Sequence, residues 1–64
     1  MIGNRIVEIR EKKFMSQADL ARELNVTRSW VNKLEKGKAE PTLRMALRIA
    51  NVLDCNVEDL FFLE

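Results

Sequence analysis

The feature that most constrains the fold is a link of two residues, Asn25-Val26, between two segments with helical patterns. Ser16 begins the first segment as a residue that caps free helix amides, and Thr27 begins the second in the same way. Because the link is so short, the two helices must cross sharply, and the first helix needs a small residue at the contact. Ala21 meets this requirement, and Asn25 accepts the positive φ that ends a helix.

The same capping residues and apolar spacings predict three further helices and hence an all-α, compact five-helix bundle. The first helix spans about Asn4 to Lys13, Thr42 caps the fourth, and Asn56 with Asp59 begins a short fifth. Gly37 ends the third. The residues expected to face the core are Ile6, Ile9, Ala18, Leu20, Ala21, Leu24, Val31, Leu34, Leu43, Ala46, Leu47, Ile49, Ala50, Leu53, Leu60 and Phe61, with Ile2 as a further candidate.

Composition narrows the possible functions. The 64 residues are 47% hydrophobic and 33% charged, which predicts one ordered domain over residues 1–64. Cys55 is the only cysteine and there is no histidine, so we expect no internal disulfide, no metal site and no cofactor. No apolar run is long enough to span a membrane and no signal-peptide pattern is visible, so we expect a cytoplasmic protein.

The charge is distributed unevenly although the net charge is only +1. Residues 1–38 contain nine basic and five acidic side chains, a balance of +4, whereas residues 39–64 have a balance of −3. A cationic excess on the segment with the two crossing helices is compatible with a nucleic-acid partner. Ordinary solvated helix faces would produce the same cationic excess. The position of the charges on the helices therefore has to distinguish a nucleic-acid interface from solvated surface.

The segment from Ser16 to Lys38, SQADLARELNVTRSWVNKLEKGK, resembles the Cro/C1-type (Xre-like) helix-turn-helix domains. The similarity continues through PTLRMALRIANVL at 41–53 and VEDLF at 57–61. It implies a lambda-repressor-like fold with its helix-turn-helix at about 16–36. It also implies a homodimeric transcriptional regulator, expected to be a repressor, that binds a pseudo-palindromic operator in double-stranded DNA. The family usually has glycine at the position of Asn25, and often glycine or a polar residue at that of Phe14; whether Phe14 is buried stays open.

The helix over residues 27–36 should enter the major groove, because its outward arc contains three cations and two hydrogen-bonding residues but no acid. Arg28 and Lys33 suit guanine, and Asn32 suits adenine. Thr27 would combine a cap with a phosphate or thymine-methyl contact, and the resemblance implies that Gln17 contacts a phosphate. The predicted DNA-binding residues are Gln17, Thr27, Arg28, Ser29, Asn32, Lys33, Lys36 and Lys38.

Further roles are predicted outside this surface. The resemblance implies a buried structural ion pair between Arg10 and Glu35. Phe62 and Leu63 exceed what a short last helix can bury, so we expect them to form a dimer contact, with Met1-Ile2 as additional candidates. Trp30 could be partial core or a groove-wall contact, and Arg44 could reach a phosphate or remain solvated.

Two other classes of function compete with DNA binding. An enzyme is disfavoured, because the chain has no histidine or cysteine pair and its acids lie at caps and on exposed faces. An antitoxin or other regulator whose main partner is a protein remains the alternative, and the apolar C-terminus is the feature that favours it.

Overall fold

Five helices and two short strands make up the computed structural model, which describes residues 2–64. The elements are β1 (Ile2–Asn4), α1 (Ile6–Lys12), α2 (Gln17–Leu24), α3 (Arg28–Glu35), α4 (Leu43–Val52), α5 (Val57–Leu60) and β2 (Phe61–Leu63). All five predicted helices are present, and the predicted fold class is confirmed. The first helix begins later than predicted because Asn4 belongs to a strand. None of the helices within residues 2–64 is long and apolar enough to cross a membrane.

The helices begin at the predicted capping residues. The Ser16 hydroxyl accepts from the Asp19 amide, and the Asp19 carboxylate accepts from the Ser16 amide, both at 3.0 Å. Thr27 and Thr42 cap α3 and α4 by accepting backbone N–H groups at 3.1 Å. Each of these bonds satisfies an amide that has no partner inside its helix, so local chemistry sets the start of each of these helices.

Four segments end in one geometry, in which a residue with positive φ follows the helix. These residues are Phe14, Asn25, Gly37 and Asp54, with φ of 57°, 58°, 75° and 54°. The amide after each one donates to the carbonyl five residues earlier, for example Lys38 to Lys33 at 2.8 Å. Only one of the four is glycine. Phe14 is the least suited to this conformation, and its side chain is 95% exposed, which answers the question that the sequence left open.

The core collects one buried face from every helix. Its members are Ile6, Leu20, Ala21, Leu24, Val31, Leu34, Ile49, Ala50, Leu53 and Leu60. Three predicted core residues are instead exposed: Ala18, Leu43 and Leu47. Ala18 faces solvent in the first turn of α2. The two leucines lie on a face of α4 that turns away from the core, where they are 75% and 54% exposed.

The chain ends pair in a two-stranded antiparallel sheet that the sequence did not predict. Ile2 pairs with Leu63, Gly3 with Phe62 and Asn4 with Phe61. We call this sheet the terminal ribbon. The Phe62 ring covers Gly3 so closely that a Cβ there would clash with it. The Arg5 guanidinium stacks on the same ring, 4.4 Å from its centroid. Phe62 and Leu63 therefore extend in a strand and do not continue the fifth helix; Met1 lies outside the described residues.

Candidate nucleic-acid interface

The turn between α2 and α3 sets the position of the candidate site. α2 ends at Leu24, and Thr27 caps α3, which begins at Arg28. Only Asn25 and Val26 lie between the end of α2 and this cap, as predicted. Ala21 is 4% exposed where the helices cross, and Val31 and Leu34 fix the inner side of α3 in the core. With its inner side buried, α3 turns its opposite side to solvent, which is the arrangement of a helix-turn-helix.

The outward side of α3 forms one wall of an open groove of about 510 Å³. We call it the α3 groove; its lining residues are Gln17, Arg28, Ser29, Asn32, Lys33, Lys36 and Lys38. Seven of the eight predicted DNA-binding residues are thus brought together. The eighth, Thr27, is exposed at the first turn of α3, where its hydroxyl accepts from the Trp30 amide. Four lining residues are cations and none is acidic, so the groove attracts anions.

A buried carboxylate supports this groove from inside. Glu35 has 4% of its side chain exposed and lies 2.8 Å from Arg10 Nε; the Arg10 side chain is 10% exposed. A second Arg10 nitrogen donates to the carboxylate at 3.4 Å, and the Gln17 amide donates at 2.7 Å. These donors compensate for the loss of water around the buried anion. Arg10 also donates to the Met15 carbonyl at 2.8 Å, which ties the turn after α1 into the same network.

The network continues from Glu35 to the surface of α3. While its Nε2 donates to Glu35, Gln17 accepts through Oε1 from Arg28 Nε at 3.4 Å. Both ends of the Gln17 amide are therefore oriented by protein groups, and one of them belongs to the exposed face of α3. Hydrogen bonds thus connect α1 in the interior to a cation of the α3 groove.

The amino end of α2 already contains an anion. The backbone N–H of Ser16 and then its hydroxyl stabilise the Asp19 carboxylate, which holds the pKa of Asp19 below its ordinary value. This carboxylate accepts from the Ser16 amide, so one of the backbone amides at the start of α2 already has an anionic partner.

Comparison with known proteins decides the family. The profile of the Helix-turn-helix family matches residues 6–60, which includes all five helices. The chain belongs to the Cro/C1-type helix-turn-helix family. One relative of this regulator, an uncharacterized HTH-type transcriptional regulator of Archaeoglobus fulgidus, is 45% identical over 60 residues, covering 94% of this chain and 86% of the relative.

Two solved structures resemble the regulator as a whole. A putative DNA-binding protein from Bacteroides fragilis superimposes with a TM-score of 0.88 at 22% identity, covering 97% of this chain and 100% of that one, and shows the fold. The master regulator for biofilm formation SinR, solved in complex with DNA, has a TM-score of 0.76 at 27% identity, covering 84% of this chain and 87% of that one. The relatives are named HTH-type transcriptional regulators, so the chain belongs to a family of transcriptional regulators.

Two long-range contacts that position the site have no counterpart among the sequence predictions. The Asn4 amide donates to the Leu34 carbonyl at 3.0 Å and ties the terminal ribbon to α3. Arg48 donates to the Leu24 carbonyl at 3.1 Å and ties α4 to the end of α2. Neither pair has a spacing that could be recognised in the sequence. Trp30, which the sequence left ambiguous, is half-buried and packs against the core.

Proposed function

We propose that the protein is a sequence-specific double-stranded DNA-binding repressor of transcription that inserts α3 into the major groove. The observation that supports this most is the α3 groove, because residues from α2, α3 and the following loop converge there without an acidic side chain. A helix fits the major groove, about 12 Å wide. A protein bound to the operator excludes other proteins from that DNA, so repression is the simplest outcome. In this proposal residues 1–64 form one DNA-binding domain that acts in the cytoplasm.

The side chains of the α3 groove divide into two roles in this proposal. Arg28, Ser29, Asn32 and Lys33 lie in the first two turns of α3 and read base edges. The guanidinium and ammonium groups suit guanine O6 and N7, and the Asn32 amide suits adenine N6 and N7. The remaining predicted residues, Gln17, Thr27, Lys36 and Lys38, contact the backbone, with Thr27 able to meet a thymine methyl as well.

The two roles predict different effects of mutation. Selection of bound sites from a random duplex library gives the operator, and fluorescence anisotropy then gives its affinity and that of random DNA. Lys33→Ala should reduce the preference for the operator, whereas Gln17→Ala should weaken binding to all sequences together. Lys36→Ala removes one proposed phosphate contact from each bound subunit, so the fall of log affinity with log salt should become less steep by about one unit per subunit, or about two units for a dimer.

Arg22→Ala is the matched control, since this exposed arginine on α2 is absent from the lining of the α3 groove. If Lys33→Ala, Asn32→Ala and Gln17→Ala all bind the operator like the unmutated protein, DNA recognition does not use this face. Lys33→Ala, Asn32→Ala and Arg22→Ala should unfold at similar temperatures, because their side chains lie outside the buried core. Gln17→Ala should unfold at a lower temperature, because it removes a hydrogen bond to the buried Glu35 carboxylate.

We further propose a homodimer in which Phe62 and Leu63 form the contact. Leu63 is 86% exposed, and both residues line a shallow groove with Ile2 and Phe61. A two-fold dimer would place two copies of α3 about 34 Å apart on a pseudo-palindromic operator. Leu63→Asp should make the protein monomeric in sedimentation equilibrium without loss of helix content. A dimer that is unchanged by Leu63→Asp would refute this contact.

The second candidate is a regulator, such as an antitoxin, whose main partner is another protein. The observation that favours it is the pair of leucines exposed on α4 at 75% and 54%. DNA affinity discriminates between the candidates. If the substitutions in the α3 groove leave DNA binding unchanged, the protein-partner function is the better explanation.

A further inference from the structure

α4 has a second surface that the DNA-binding proposal does not use. Leu43 and Leu47 are four residues apart, as are Arg44 and Arg48, so two parallel rows run along one exposed face of the helix. With Asn51 they line an open groove of about 490 Å³, which we call the α4 groove. It has no lining residue in common with the α3 groove.

The leucines of the α4 groove are not part of the folding core. α4 contributes Ala46, Ile49 and Ala50 to the interior from its other side. Leu43 is 75% exposed and Leu47 is 54% exposed, so both leave apolar surface in water. Covering this surface with another apolar surface would lower the free energy. Because the two side chains are neighbours at i and i+4, they form one continuous apolar strip.

The charges beside this strip indicate the chemistry of what covers it. Every charged residue that lines the α4 groove is an arginine. Arg48 is held in place because it donates to the Leu24 carbonyl at 3.1 Å, and Arg44 is exposed in the first turn of the helix. A guanidinium binds a carboxylate through two parallel hydrogen bonds, so a covering segment with acidic side chains is complementary.

We propose that the α4 groove binds an acidic amphipathic helix of another protein. Apolar side chains of that helix, spaced three or four residues apart, pack on Leu43 and Leu47, while its flanking carboxylates pair with Arg44 and Arg48. This is the helix-in-groove mode of recognition. The inference goes beyond the proposed DNA binding, because it assigns a partner of stated chemistry to a separate surface.

A second copy in antiparallel packing and a DNA backbone fit this surface less well. If a second copy lay antiparallel on the leucine strip about a two-fold axis, both arginine rows would lie on the same side of the contact. Like charges would then face each other across the seam, which is unfavourable. A DNA backbone would satisfy the arginines but would leave the leucines in contact with phosphate and water.

The proposal can be tested with two synthetic helical peptides of about 18 residues, long enough to be partly helical in isolation. Both have leucines at i and i+4; one has glutamates on the flanks and the other has lysines. Fluorescence anisotropy at low salt should show the acidic peptide binding about tenfold or more tightly than the basic one. Leu47→Ser and Arg44→Glu in the full chain should each weaken the acidic peptide by about tenfold.

Phe14→Ser is the matched control, since this apolar side chain is 95% exposed in the turn after α1 and does not line the α4 groove, so its loss should not change peptide affinity. Equal binding of the two peptides, or unchanged binding to Leu47→Ser, would overturn the proposal. So would conversion of a dimer to a monomer by Leu47→Ser, because the strip would then be covered by a second copy. Operator affinity is measured in parallel: it should persist in Leu47→Ser, and its loss together with unchanged peptide binding would assign the surface to DNA.

Discussion

Replacing Phe14 by glycine should stabilise the protein, although it removes a large apolar side chain. Phe14 follows α1 with φ of 57°, and its side chain is 95% exposed. The Phe14 amide donates to Glu11 and the next amide, that of Met15, donates to Arg10, so the positive φ is built into the helix ending. Glycine can form the same bonds without a Cβ that opposes this conformation.

The expected gain follows from two opposing terms. A non-glycine residue in the left-handed region costs roughly 1–2 kcal/mol. Glycine avoids this cost, but it loses more backbone entropy on folding, which offsets roughly 0.5–1 kcal/mol of the gain. Little burial is lost with a ring that is 95% exposed, so the net increase in unfolding free energy is about 0–1.5 kcal/mol, with a central value of about 0.75 kcal/mol. For a domain of this size the central value corresponds to a rise in Tm of about 3–6 °C.

Thermal and urea unfolding followed by circular dichroism measure this change. Phe14→Ala separates the backbone from the side chain, since alanine keeps the left-handed penalty and should leave the stability nearly unchanged. Asn25→Gly should give a smaller gain than Phe14→Gly, because asparagine tolerates the φ of 58° better than phenylalanine does its own. A Phe14→Gly variant no more stable than Phe14→Ala would show that the backbone at this turn is not strained.

Three further predictions follow from buried or capped groups. Arg10→Met should lower the unfolding free energy by about 3–5 kcal/mol in urea titrations, because it leaves Glu35 buried without its cation, and Arg10→Met with Glu35→Leu should recover much of the loss. Because the pKa of Asp19 is lowered in the fold, its stabilisation is present above the ordinary pKa of an aspartate and disappears as the pH falls through the lowered value. Asp19→Asn should therefore flatten the acid limb of the stability curve, and an unchanged limb would contradict this. Burial, and to a smaller extent the nearby Asp59 carboxylate, raises the pKa of the Cys55 thiol. At pH 8, iodoacetamide should therefore modify Cys55 more slowly in the folded protein than in the urea-unfolded chain. Equal rates in the two states would count against the raised pKa.

The parts of the fold that could be predicted are those set by local chemistry. Ser16, Thr27 and Thr42 cap helices through their own hydroxyl groups, so their positions in the sequence suffice. Leu43 and Leu47 were wrongly placed in the core, because periodicity shows which residues share a face but not whether another element covers it. The terminal ribbon was missed because strands of three residues are too short to show alternation.

The same division applies to the candidate site. Stepping along α3 from a buried Val31 was enough to group five of the residues that line the α3 groove: Arg28, Ser29, Asn32, Lys33 and Lys36. Gln17 was predicted from the family resemblance, and Lys38 from its position just after the helix. The hydrogen bond from Gln17 to Glu35 could not be predicted from the residues, since it joins positions 18 apart and depends on the crossing angle of two helices. A hydrogen bond of this kind can be predicted only once the packing of the two helices is known.

The pairing of Ile2 with Leu63 brings residues 2–4 and 61–63 side by side. A fluorescent label at one end and a quencher at the other would therefore report fraying of the terminal strands directly. The same proximity favours circular permutation: a short linker could join the old ends, and new ends could be opened in the loop between Lys38 and Pro41. Such a permuted chain would keep α2 and α3 continuous, so it would separate the order of the helices along the chain from their packing in space.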